Sequence, residues 1–150
     1  MEMLQPTADD AMVILKLYEL RQEERLRQAR HWLLFTFQPA NAEEFFAVAQ
    51  TSGSPENAFF RQATTYWEMA AGMVLQGAVN ADLFLDSNGE GIAILAKFSR
   101  FGEAFSARMH RPFMAKTAEL VRQFPAAQAI YDRMAARFKS DASSSHQRKD

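Results

Sequence analysis

Cysteine is absent from the 150 residues. That removes disulfides, thiolate zinc ligands and a thiol nucleophile together, and it permits a reducing compartment. A surplus of one charge is missing as well. The formal net charge is −1, so no long-range field draws the chain toward nucleic acid or an anionic membrane. Long apolar runs are lacking: Trp32-Leu33-Leu34-Phe35 and Ile92-Ala93-Ile94-Leu95-Ala96 fall far short of the roughly 20 residues that span a bilayer. The opening MEMLQPTADD has no basic region ahead of an apolar run, so no signal peptide is expected and the cytoplasm is the expected compartment. No G-x-x-x-x-G-K-[ST], G-x-G-x-x-G or G-x-S-x-G occurs, which leaves phosphate-loop and hydrolase chemistry without a foothold. Sustained period-two alternation is also missing, so strands are not expected.

What is present is helical periodicity punctuated by caps. A hydrophobic share of 48% with 13 Phe is enough for one packed domain of this length. Thr7, with Asp10 three residues on, predicts the start of a long first helix that runs to about Phe37 before Pro39. Asn41 and Glu44 open a short second helix through Ala49, and Ser54-Pro55 opens a third that lasts to Gln76, with Gly77 at a left-handed C′ position. Asn80 caps a short turn through Leu85. Ser87 and Glu90 then form a second capping box for a fifth helix to about Met109. Pro112 starts a sixth helix to Phe124 and Pro125 a seventh to Phe138. The expected architecture is an all-α, single-domain bundle over residues 1–139, of five to seven helices with three of them long. A polar, serine-rich tail over residues 140–150 is expected to be disordered.

The third helix gathers Phe59, Ala63, Tyr66, Trp67, Ala70, Met73 and Val74 on one face, and the fifth lines up Ile94, Phe98, Phe101, Phe105 and Met109. Both stripes read as core. The first helix departs from this pattern. Ile14, Leu17 and Tyr18 share a face with Ala29, Trp32 and Phe35, yet Arg21 and Arg25 lie between them. Cations one turn apart need water or an anion between them. Two explanations stand side by side. Either the arginines sit at the edge of the core, or they join a buried carboxylate network or a small anionic ligand. Glu68 is the first candidate acid, and Tyr18, Trp32, Tyr66 and Trp67 are the candidate walls.

Other patterns resolve without chemistry. Asp86-x-Asn88-x-Glu90-Gly91 begins like a calcium loop, but Lys97 stands where the bidentate Glu belongs. His31, His110 and His146 lie outside any H-E-x-x-H or Glu-x-x-His setting, so neither metal nor haem is expected and no cofactor is implied. The basic run Arg25 to His31 follows closely on Glu19, Glu23 and Glu24, which suits a solvated helix surface better than a nucleic-acid site.

Through Leu17-Tyr18-Glu19-Leu20-Arg21, Ala29-Arg30-His31-Trp32 and Tyr66-Trp67-Glu68-Met69-Ala70, the chain resembles an uncharacterised family of short bacterial all-helical proteins, filed as a domain of unknown function. The resemblance spans about Asp10 to Phe101. It implies an all-α fold and a bacterial cytoplasmic setting, and it carries no activity or catalytic residue. Two functions are therefore open at this point. One is a non-enzymatic interaction or regulatory protein, self-associating or bound to a protein partner, and the other is a module or enzyme for a small anionic ligand.

Overall fold

The computed structural model describes residues 4–147, and all of its regular elements are helical. The α-helices are α1 (Ala8–Arg21), α2 (Glu24–His31), α3 (Ala42–Ala49), α4 (Pro55–Leu75), α5 (Ala81–Ser87), α6 (Glu90–Lys97), α7 (Gly102–Met109), α8 (Ala115–Gln123) and α9 (Pro125–Gln147). A π turn, Trp32–Thr36, follows α2, and a 3₁₀ turn, Ser99–Phe101, joins α6 to α7. The long α4 runs through the middle, with α2, α3, α6 and α8 packed on it, and α9 lies across α6 and α8. No helix among the described residues is long and apolar enough to cross a membrane.

The caps act where the sequence placed them at five helix starts or ends, Asn80 among them, which accepts from the Leu83 backbone at the start of α5. Thr7 and Asp10 form a reciprocal capping box, Asn41 and Ser54 accept from the backbones of Glu44 and Asn57, and Gly77 takes φ 78°. The third-helix face is core, with Ala63, Tyr66, Trp67, Ala70 and Val74 buried. So is the Phe stripe: Phe98, Phe101 and Phe105 join Phe60 and Phe113 around Phe45, which is wholly buried.

Four expectations are corrected. The first long helix is broken at Gln22-Glu23, because Glu23 leaves the helical region (ψ 137°) and turns its carboxylate onto the Leu26 amide, capping a new helix. The break advances the wheel by about one residue, so the inward positions of α2 are Leu26, Ala29 and Arg30, and Arg25 turns out to solvent. The fifth helix is likewise divided, at the 3₁₀ turn where Phe101 folds into the core. The box of Ser87 with Glu90 does not form: Gly89 is the N-cap of α6 and Glu90 points into the protein. Pro112 lies ahead of its helix, since Phe113 drops into the aromatic cluster and Met114 adopts φ 49° before α8 begins.

At the C-terminus α9 continues past Phe138 to Gln147, so the stretch expected to be loose is helical that far. Ala, Lys, Asp and Ser follow one another there without a proline or glycine to stop the helix. The last three tail positions, Arg148 to Asp150, lie outside the described residues.

Gly91 marks a close approach of α6 to α4. A Cβ built there would lie 2.9 Å from the Trp67 Cβ and 3.0 Å from its Cγ. These atoms sit near the α4 backbone and cannot swing aside. Gly91→Ala is therefore expected to cost about 1–3 kcal/mol of overpacking, against the roughly 1 kcal/mol that alanine returns in helix propensity. A melting temperature several degrees below wild type by circular dichroism is the expected readout, and an unchanged or higher one would show that α4 and α6 part freely.

Candidate functional site

The break after Arg21 brings four helices, α1, α2, α4 and α6, to one polar cluster. Arg30, on the inward face of α2, grips Glu90 at the start of α6 with two parallel bonds, Nε to Oε2 at 2.7 Å and Nη2 to Oε1 at 3.0 Å. Its remaining nitrogen, Nη1, donates to the Arg21 carbonyl at 2.9 Å, an oxygen left free at the end of α1. Trp67 of α4 donates its indole N–H to Glu90 Oε2 at 2.9 Å. Bidentate, charge-assisted geometry of this kind is the strong form of the Arg–carboxylate pair. The two side chains keep only 18% and 22% of their exposure.

Arg21 forms the second part of the cluster. Its Nη1 donates to Asn88 Oδ1 at 2.7 Å, and its guanidinium lies 5.1 Å from the Tyr18 ring and 5.6 Å from that of Trp67. Asn88, buried in the α5–α6 turn, returns its own N–H groups to the Phe84 carbonyl and Ser87 Oγ. The Tyr66 hydroxyl donates to the Leu17 carbonyl, and burial pushes its phenol upward, with nearby Arg21 opposing the shift.

Among the sequence candidates, the fold therefore unites Arg21, Tyr18, Tyr66 and Trp67. It separates the others. Arg25 is exposed on an open groove with Glu23, Leu26, Gln62, Thr65, Tyr66 and Met69. Trp32 stacks on Phe37 at 4.8 Å and tilts against Phe59. Glu68 serves a different helix: its carboxylate accepts from the Lys116 and Thr117 amides, both at 3.0 Å, and from the Thr117 hydroxyl at 2.8 Å. Because Met114 offers α8 no side-chain cap, Glu68 supplies one from across the bundle, where an anion also suits the helix dipole.

Sequence reasoning passed over Arg30, Asn88 and Glu90. Arg30 was hidden by the assumed unbroken wheel, and Glu90 by its plausible role as a cap. A usable signal lay beside it, since Gly91 inside a helix implies close backbone approach. Among the described residues, no buried side-chain nitrogen or oxygen lacks a hydrogen-bond partner. Every guanidinium nitrogen of Arg30 and the Trp67 indole N–H have a partner, and the cluster fastens the α1–α2 junction to α4 and α6.

These features define an all-α protein whose helices are pinned by an internal Arg–Glu–Trp cluster. The chain belongs to the family described as Domain of unknown function (DUF4760), whose model matches residues 6–124. That span takes in α1 through α8 and ends just before α9 begins. Comparison with curated proteins and with solved structures gives no match.

Proposed function

We propose that this chain is a non-enzymatic interaction protein, working in a bacterial cytoplasm, whose binding surface is the outward side of α1. One observation carries the reading: the exposed large apolar residues crowd into the first 20 positions. Leu4, Met12, Leu15, Tyr18 and Leu20 all lie there, with Met12 at 64% and Leu15 at 61% exposure, whereas the rest of the described surface shows Phe35 and Met69. A helix that is apolar on both sides is ordinarily covered on both. Here Leu17 alone of α1 is fully buried, and the opposite side faces solvent. The competing idea of an anionic ligand between Arg21 and Arg25 has less support, because Arg21 is engaged by Asn88 and two rings while Arg25 points away.

The test places a photo-crosslinking amino acid at position 15 or, as a control, at exposed Gln128 of α9. Covalent adducts of one defined mass are expected from position 15 in the cell and not from position 128. Adding Met12→Glu should abolish them while leaving the fold intact, since changes at such exposed sites shift stability by about 0.5 kcal/mol or less. Absence of an adduct from position 15 sets the reading aside.

A further inference from the structure

We infer that the corner where α6, α7, α8 and α9 meet is a binding site for a small neutral aromatic molecule, one or two fused rings carrying a single hydrogen-bond donor. The cavity there measures about 300 Å³, roughly ten times the ~30 Å³ that a water molecule occupies in the liquid. Close-packed interiors leave few voids larger than one water. This opening is therefore more than slack between helices, and it stands at the lower end of the range that small-molecule sites fill. An apolar cavity of about 150 Å³ holds one benzene ring, so two fused rings suit this one.

The chain makes the cavity by turning a corner. The 3₁₀ turn after α6 folds Phe101 into the core and leaves Ser99 and Gly102 on the opening. Leu95, Phe113 and Val121 are buried and form the floor, whereas Ser99, Ser106 and Pro112 are exposed at the mouth. Gly102 leaves its part of the wall bare, since a Cβ built on it meets no atom within 4 Å. Ala118 of α8 and the half-buried Tyr131 of α9 complete the lining.

The lining selects the ligand. No charged side chain belongs to it, so an ion would leave water without a counter-charge. The rings of Phe113 and Tyr131 offer aromatic faces and edges. Two oxygens can accept from a donor. Ser99 Oγ gives its own hydrogen to the Ala96 carbonyl at 2.9 Å and so presents lone pairs alone. Tyr131 makes no hydrogen bond among the described residues, and its hydroxyl is the acceptor assigned to the ligand. A saturated chain would fill the volume but use neither oxygen.

Indole is the probe. Titrated into the full chain and followed by amide proton–nitrogen correlation spectra, it is expected to shift Ser99, Gly102, Ser106 and Val121 together, saturating below millimolar concentration. Gly102→Leu and Ala118→Leu narrow the cavity from the α7 and α8 walls, and each should weaken binding by about tenfold or more. Gly102 already has a helical φ of −61°, so leucine strains no backbone there, and unchanged helicity is the fold check for both variants. Tyr131→Phe should weaken indole several-fold and leave N-methylindole, which has no N–H, unaffected. The absence of a saturable shift at the four amides overturns the inference, as does wild-type affinity in either folded, narrowed variant. Indole-3-carboxylate binding as tightly as indole, or Tyr131→Phe binding indole as tightly as wild type, overturns the assignment of a neutral donor.

Discussion

Glu90→Ala should lower the melting temperature by roughly 10 °C. Among the described residues Glu90 is the sole carboxylate bonded to Arg30, and it is also the acceptor for the Trp67 indole. Removing it leaves a largely desolvated guanidinium with only the Arg21 carbonyl to hold, and the buried Trp67 N–H without a partner. Breaking a buried pair from one side typically costs about 3–5 kcal/mol, and at this chain length each kcal/mol moves the midpoint by roughly 2–4 °C. The lower end is appropriate, because the pair retains 18% and 22% exposure.

The companion variant tells a charge pair from a packing role. Arg30→Met with Glu90→Met removes both charges and fills much of the same volume, so its loss should be well below the sum of the single changes. Additive losses, or a Glu90→Ala cost under about 1 kcal/mol, would mean that the cluster behaves as a solvated surface pair. The α1 surface gives a further readout. Because Arg30 also holds the Arg21 carbonyl, losing Glu90 should loosen the end of α1 and weaken association through its outward side.

How far the sequence could be read depends on which rule governed each segment. Local rules worked where one side chain closes one helix end, as at Thr7, Asn41, Ser54 and Gly77, and where a face was regular, as along α4. Periodicity failed where a residue had two possible uses. Glu23 suits a helix interior on propensity, yet its carboxylate caps α2 and breaks the run, and every face assignment beyond it shifts. Glu90 suits a first turn equally well, yet its partners lie on α2 and α4, far away in sequence. Arg21 shows the limit most clearly. A cation inside an apolar stripe was legible as an anomaly and Tyr18 and Trp67 as its neighbours, but the group that answers it is a neutral amide, Asn88, on a distant turn that helical spacing does not identify. Glu68 was misassigned for the same reason, since its true task is set by the absence of a cap at Met114.

Lys97→Met is the second change expected to act strongly, and it carries a pH signature. The Lys97 ammonium donates to the carbonyls of Leu33 at 2.7 Å, Leu34 at 2.9 Å and Phe37 at 2.7 Å. These are the oxygens at the end of the π turn, where helical partners run out. Methionine matches the length of the stem but donates nothing, so a cost of about 2–3 kcal/mol is expected from the stranded carbonyls. Burial pushes the lysine down from its ordinary 10.5 to about 8. The unfolded chain therefore holds this proton more tightly than the folded one between pH 8 and 10.5, and stability contributed by Lys97 rises with pH across that window. Wild type and Lys97→Met should accordingly draw further apart in urea melts as pH is raised from 8 to 10.5, with alkaline effects elsewhere cancelling in the difference. A gap that narrows instead would mean that the three carbonyls hold the charged form more strongly than burial disfavours it. In either case ammonium ion should restore part of the lost stability to a Lys97→Ala variant, where the shortened side chain leaves the three oxygens facing an opening of suitable chemistry, and tetramethylammonium, which has no N–H to donate, should not.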